Sequence, residues 1–504
     1  MAIIGLIIGL AVFIPEKILH RTKAVSMHRR MKLFTLYTEL VIILFCTLPM
    51  TLAPSWNGTV KGHRDQYERM AESLLEGKLY IDYDDIDPRL AEMENPYDPD
   101  ARKEAGVRTH WDHAYFEGRY YMYFGIVPVL LLFLPFRVIT GHALNTMHAT
   151  QIFTAFAIAG IFALLKLLAK RFFPKMTLGT YLVLAMSVSV TSFWFAADYA
   201  ALYSTAITSA VCMLVWSFFF FFKAVYGEPQ EDRQIRFAAL GSLFGALAFG
   251  CRPSTALANL LVIPLLITYL KQKKAAGQLT RRLAGKLVLA ALPYVVVAAG
   301  LMIYNAARFH DPFEFGQAYQ LTSADQHEYG NMLSRLDLTK ILSGIESNFF
   351  ALGKHKADFP WTDYGGAFWN FPLLLFGPAL LLPKNLRAAR KKNASGTMTV
   401  LLALPLIITV ITILWAPFLT ERYRMDIYYL MGIAAFCAVG FLGEGIEQEK
   451  DLRILRTVVT VLALAAMMKA LLFWLVPRDS NYTQKVAGAL QQAAKTLFFH
   501  NIPQ

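Results

Sequence analysis

The sequence predicts an all-α integral membrane protein of about 12 transmembrane helices, within the range 11 to 13, with two long extracytoplasmic loops that carry surface helices. Three observations predict it. Hydrophobic residues make up 56% of the 504 and charged residues only 17%, and the apolar ones gather in runs of 16 or more rather than in stripes. Backbone groups in hydrocarbon must find partners within their own segment, so each run is a helix and any sheet is confined to the loops. Lys and Arg crowd into short segments beside the runs, while acids crowd into one long one.

The runs lie near 36–53, 120–139, 148–168, 177–196, 200–222, 236–251, 254–270, 286–307, 367–383, 398–418, 427–443 and 454–476. Ala2 to Ile14 is apolar over too short a length to span and lacks a small-residue cleavage site, so it reads as a short interfacial or extra helix, not a cleaved signal.

The net charge of +13 does not point to nucleic acid, because the basic residues flank spans, where they orient a membrane protein. Residues 15–33 hold six Lys or Arg and one acid, 271–286 hold six and none, and 384–392 hold five and none; all three are assigned to the cytoplasm. Residues 54–118 carry fifteen acids against eight Lys or Arg, and 308–365 are mixed, so both belong outside. Alternation then fails once: an odd number of crossings must separate the first loop from 271–286, and six runs lie between. The run 120–139, with Gly125 and Pro128, is the one expected to be tilted, broken or re-entrant.

In the first loop Tyr67, Met70, Ala71, Leu74 and Leu75 repeat at helical spacing after Asp65, and Gly77 stops the pattern. In the second, Leu338, Ile341, Leu342, Ile345, Phe349 and Leu352 do the same. Two surface helices could therefore roof a cavity on the outer face, and the loops that carry them read as the lid of an active site, with Asp65 at its edge and Arg252 beneath it. The tail 477–504 reads as a polar stretch followed by a weak amphipathic helix. Cys46, Cys212, Cys251 and Cys437 all fall in or beside apolar runs, which argues for packing and against a disulfide framework or thiolate metal site.

His63-Arg-Asp-Gln-Tyr-Glu-Arg-Met-Ala-Glu-Ser-Leu-Leu-Glu-Gly-Lys-Leu-Tyr80, followed by Tyr115-Phe-Glu-Gly-Arg-Tyr-Tyr-Met-Tyr-Phe-Gly-Ile-Val-Pro128, resembles the first external loop of GT-C superfamily membrane glycosyltransferases. These polyprenyl-phosphate-sugar-dependent enzymes include the protein mannosyltransferases and the aminoarabinose transferases. Gly250-Cys-Arg-Pro253, Tyr304-Asn-Ala-Ala-Arg-Phe309 with Phe313-Glu-Phe-Gly316, and Glu421-Arg-Tyr-Arg-Met-Asp426 extend the resemblance more loosely. The family's acidic pair Asp-Glu is here Asp65-Gln66, so only the first acid carries over.

The resemblance implies a GT-C-like core at 34–307, including the loop 54–118, after a cytoplasmic or interfacial segment 1–33. A second external loop, 308–366, and a C-terminal transmembrane region and tail, 367–504, complete the chain. It also implies a function: transfer of a sugar, with inversion, from a polyprenyl-phosphate carrier to an extracytoplasmic cell-wall polymer, glycolipid or protein. Asp65 would be the general base. Its local pattern equally fits a helix N-cap completed by Glu68, and the two roles are compatible.

One carboxylate must take the acceptor proton, and the departing lipid phosphate needs positive charge. Arg252 is the only charged residue from Phe237 to Leu270, and a lone cation there is costly without a partner; a snorkelling Arg is the alternative. Arg422 and Arg424 offer a second pair for phosphate, or an ordinary loop ion-paired with Glu421 and Asp426. Asp198 is a candidate for holding acceptor or substrate, or simply marks an interface turn. Arg308, Tyr304 and the Lys354–His355–Lys356 group are weaker candidates for headgroup contact.

His110 and His113, with Asp112 between them, make a weak metal signal, so no metal ligand is assigned. No cofactor is implied beyond the lipid-linked sugar donor, and dependence on a divalent metal stays open. The partners expected are the bilayer, that donor and an external acceptor, in the plasma membrane of a bacterium, with no nucleic acid. The alternative is a polytopic transporter or lipid-linked sugar flippase, which also has about a dozen spans but commonly shows paired halves that this chain lacks. A structural scaffold is the third reading.

Overall fold

The computed structural model describes residues 23–24, 29–52, 65–327, 336–353, 365–416, 419–475, 488–489 and 491–492. The stretch Ala2 to Ile14, the Lys354–His355–Lys356 group and most of the tail 477–504 lie outside the described residues.

Among the described residues nine helices are long and apolar enough to cross a membrane. In chain order the helices used below are α1 (Arg29–Leu52), α2 (Gln66–Leu75), α3 (Thr146–Phe172), α4 (Leu178–Asp198), α5 (Leu202–Phe222) and α6 (Glu231–Phe249). They continue with α7 (Pro253–Ala275), α8 (Arg281–Phe309), α9 (Leu338–Ile345), α10 (Ser395–Trp415), α11 (Met425–Glu444) and α12 (Glu449–Leu475). The nine are α1, α3, α4, α5, α7, α8, α10, α11 and α12. The helix α6 opens on Glu231, Asp232, Arg233 and Arg236, which shortens its apolar part.

Among the described residues two of the twelve apolar runs do not form regular full-length spans. The run 120–139 starts as a strand, Arg119–Tyr121, paired antiparallel with Ala114–Phe116, and only Val129–Thr140 is helical. Twelve residues reach about 18 Å, well short of the roughly 30 Å of hydrocarbon. The run 367–383 also departs from a regular helix: Pro372 and Pro378 remove donors, and Pro372–Leu381 winds as a 3₁₀ helix.

Contacts between elements separate the bundle into two ends. At one, Ala24 N donates to Met176 O at 2.9 Å, Lys175 N to Glu444 Oε1 at 2.7 Å, and both Tyr226 OH and Thr268 Oγ1 to Asn393 O, at 3.0 and 3.3 Å. The basic segments beside Lys23, Lys175, Lys273 and Lys392 thus share the end that the charge rule makes cytoplasmic. At the other end sit both long loops. Five helices, α3 to α7, run between the first loop and the 271–286 turn, which satisfies alternation once Val129–Thr140 is removed and α6 is kept as a crossing.

The helices α4 and α11 form the centre of the bundle, with Trp194, Tyr428 and Tyr429 fully buried. Membrane helices gain from close packing, and small residues allow it. Gly440 is one such place: a Cβ there would press into the Phe173 ring. All four cysteines are free and buried.

Candidate active site beneath the two loops

The chain breaks its helical course at Gly250-Cys-Arg-Pro253. Pro253 starts α7 and has no amide hydrogen to lose, while Arg252 is extended at φ −159°. The freed Gly250 carbonyl accepts Val127 N at 2.9 Å, which seats the end of the first loop on the bundle. A side chain at Gly125 would collide with the Gly250 carbonyl oxygen, so the close approach requires glycine there.

The second loop then knits onto the first. Asp112 N donates to Leu321 O at 2.9 Å, Leu321 N to His113 O at 2.8 Å, and Tyr115 N to Tyr319 O at 2.9 Å. Buried Arg102 clasps Pro96 O and Thr322 O, each at 2.7 Å, and Asn95 Nδ2 donates to Asp325 Oδ2 at 2.7 Å. Together the loops form one lid, and beneath it is a cavity of about 360 Å³. Residues of segments 111–126 and 315–326 line it with α5, α6, α8 and α10, and neither α2 nor α9 contributes a lining residue.

Asp112 is the carboxylate on this cavity. It is buried, and its backbone takes the left-handed conformation at φ 55°, uncommon for a residue with a side chain. Tyr203 OH donates to Oδ2 and Gln320 Nε2 to Oδ1, the latter at 3.1 Å. Gln66, fully buried at the first position of α2, donates from Nε2 to the Asp112 carbonyl at 2.8 Å and accepts Tyr123 N at 3.1 Å. His113 is buried beside it, with Nδ1 2.9 Å from Trp111 O and Nε2 2.8 Å from Tyr83 OH. Burial pushes the His113 imidazole down to about 4, which keeps it neutral, so Nδ1 carries the proton for Trp111 O and Nε2 accepts from Tyr83.

Three guanidinium groups share the cavity wall. Arg252 is fixed by Asp426, Nε at 3.1 and 3.2 Å from the two oxygens and Nη2 at 3.1 Å, and Thr255 Oγ1 also donates to that carboxylate. Arg308 is buried with Nη1 on Met122 O at 3.0 Å and Nη2 on Asn305 Oδ1 at 2.9 Å, stacked 3.9 Å from the Tyr304 ring centre. Its Nε has no hydrogen-bond partner, and among the described residues no carboxylate touches it. Arg422 lies 3.9 Å over the face of Tyr203, the same ring whose hydroxyl holds Asp112. A carboxylate and cations lining one partly apolar cavity suit a proton acceptor and an anionic leaving group.

No family model and no curated protein matches this chain. Two solved structures from Archaeoglobus fulgidus are similar to it in outline. One is the oligosaccharyltransferase in its apo form, 12% identical, with 90% of this chain and 59% of that one covered at a TM-score of 0.42. The other is the archaeal oligosaccharyltransferase AglB in complex with an inhibitory peptide and a dolichol-phosphate, 14% identical, covering 94% and 58% at 0.44. This chain therefore spans about three fifths of the length of either.

The residues singled out in the sequence are distributed unevenly. Arg252, Arg308, Arg422 and Tyr304 line the cavity. Arg424 does not: it is buried and reaches Ser347 O at 3.4 Å, leaving Nε and Nη1 without hydrogen-bond partners. Asp198 ends α4, and its side chain lies outside what is described. Asp65 is not on the cavity wall. It caps α2, Oδ1 accepting Tyr67 N at 3.1 Å and Glu68 N at 3.5 Å, while Oδ2 takes the Thr146 hydroxyl. Glu68 accepts Thr146 N at 3.2 Å, so the two acids together tie the start of α2 to the start of α3. Asp112, Gln66, Tyr203 and Gln320 were not among the predicted site residues. Asp112 and its flanking histidines carried only a metal signal, and among the described residues no group of three His, Cys, Asp or Glu is placed to hold a metal ion.

Proposed function

We propose that this protein transfers a glycosyl group from a polyprenyl phosphate to an acceptor presented at the outer face of the membrane. The observation that supports the reading is the cavity itself: Asp112, held by two donors, lines it together with Arg252, Arg308 and Arg422, at the loop-bearing end of a membrane bundle. Asp112 takes the proton as the acceptor oxygen or nitrogen attacks the anomeric carbon. The bond from that carbon to the phosphate oxygen breaks, its electron pair leaves with the phosphate, and the anomeric centre inverts. The three arginines offset the charge that grows on the departing lipid phosphate. Asp65 takes the supporting part, holding α2 on α3 so that Gln66 keeps its grip on Asp112.

The test uses the full-length protein in nanodiscs with defined polyprenyl-phosphate sugars, and mass spectrometry of both lipid and acceptor. Release of polyprenyl phosphate matched by glycosylated acceptor, lost in Asp112→Asn, supports the proposal. Movement of intact donor across proteoliposomes with no cleavage would establish the flippase alternative instead.

A further inference from the structure

The consecutive helices α7 and α8 are joined by a short turn yet make no extensive contact with each other; both pack on α6 or its neighbours instead. The cleft between them holds a cavity of about 240 Å³, floored by α5 and α6 and lined almost wholly by apolar atoms. It lies at the cytoplasmic end, remote from the site under the lid. We propose that this cleft binds one tail of an anionic phospholipid of the cytoplasmic leaflet, with the headgroup phosphate held at its basic mouth.

Spacing places charge at that mouth. On α7, Leu265, Tyr269 and Lys273 are four residues apart; on α8, Lys286, Ala290 and Tyr294 repeat the same step. The residues that line the cleft therefore share a helix face with a lysine one turn, about 5 to 6 Å, nearer the cytoplasm. Lys286 Nζ is 2.7 Å from both Glu231 and Asp232, and Lys273 Nζ is 3.8 Å from Glu231. Arg282 and Arg236 also act on Asp232, so four cations surround two carboxylates and the mouth keeps an excess of positive charge. That excess at headgroup depth matches an anionic lipid.

The exposure of α8 points the same way. It is the least buried of the candidate spans among the described residues, with Val288, Leu289, Val295 and Ile303 more than 60% exposed. A helix so bare along its length borders lipid, and the cleft beside it opens to hydrocarbon. Few polar groups face the cleft: Tyr269 OH donates to Gln234 at 3.1 Å, Tyr294 OH to Asn259 at 2.7 Å, and Ser242 adds one hydroxyl.

Native mass spectrometry of the full-length protein tests it, after exchange into nanodiscs of phosphatidylcholine alone or with one fifth phosphatidylglycerol. The expected result is one phosphatidylglycerol retained per protein after detergent release. Ala290→Trp, which fills the cleft, should abolish that adduct, and Lys286→Gln with Arg282→Gln should weaken it at least tenfold. Should Ala290→Trp fail to fold, Ala238→Leu on the facing helix takes its place. Equal retention of phosphatidylcholine, an adduct unchanged by these substitutions, or a protein chain in the cleft each overturns the proposal.

Discussion

The side-chain amide of Gln66 donates to the backbone carbonyl of Asp112 at 2.8 Å, and its own oxygen accepts the backbone N–H of Tyr123 at 3.1 Å. One buried side chain thus brackets the residue that carries the cavity's carboxylate and the segment that seats the lid. The position is where the resembled family has its second acid. A carboxylate there would lack the donor that Asp112 O requires and would set two acceptors against each other.

Gln66→Glu is therefore expected to destabilise the lid, and Gln66→Leu to leave a buried carbonyl and a buried amide unpaired at a cost of about 1–3 kcal/mol. Thermal unfolding of the purified protein reads both. Transfer activity should fall in step with lid stability, and Gln66→Asn should not restore it, because the shorter amide cannot reach both partners.

Asp112→Asn and Asp65→Asn separate the two acids. Loss of a general base costs about 10²–10⁴-fold in turnover with the fold intact, so Asp112→Asn should lose activity while unfolding at the wild-type temperature. Asp65→Asn weakens a helix cap and the Thr146 contact, typically about 1 kcal/mol, and should lower stability more than turnover. Steady-state transfer rates beside melting curves decide it; the opposite pattern would return the base to Asp65.

Features set by local chain chemistry were legible in the sequence. The cap at Asp65, the helical spacing to Leu75 and the stop at Gly77, which sits at φ 73°, mark α2 without reference to anything distant. The run 120–139 is apolar enough to mimic a span, and only failed alternation exposed it; its close approach to Gly250, at Gly125 and through Val127 N, joins residues 125 apart in sequence or nearly so. Arg252 was legible as a cation in need of a partner, but Asp426 is 174 residues away. Asp112 was illegible for the same reason, since Tyr203 and Gln320 are 91 and 208 residues from it.

The Arg252–Asp426 pair gives a prediction in which stability and activity part company. Asp426 is almost fully buried, so Asp426→Asn strands a charge and should cost about 3 kcal/mol or more. Arg252→Met with Asp426→Leu removes both charges and should recover most of that stability, because an apolar pair of similar volume needs no desolvation. Turnover should stay low in the double variant if Arg252 contacts phosphate. Melting temperature and transfer rate, measured on all three proteins, check it.

His113 sets a pH dependence of the lid. Its folded pKa of about 4 lies below the 6.5 of an unfolded histidine, so between those values the unfolded chain binds more protons. Stability from this group is therefore full above pH 6.5 and is lost as pH falls toward 4, by up to about 3 kcal/mol for a shift of this size. The cause is desolvation first, reinforced by the charge of His110, and protonation at Nε2 would also break the bond accepted from Tyr83. His113→Gln can keep a hydrogen bond without titrating. Melting temperatures from pH 4.5 to 7.5 should slope upward in the wild type and flatten in that variant, and an equal slope in both would assign the effect to other groups.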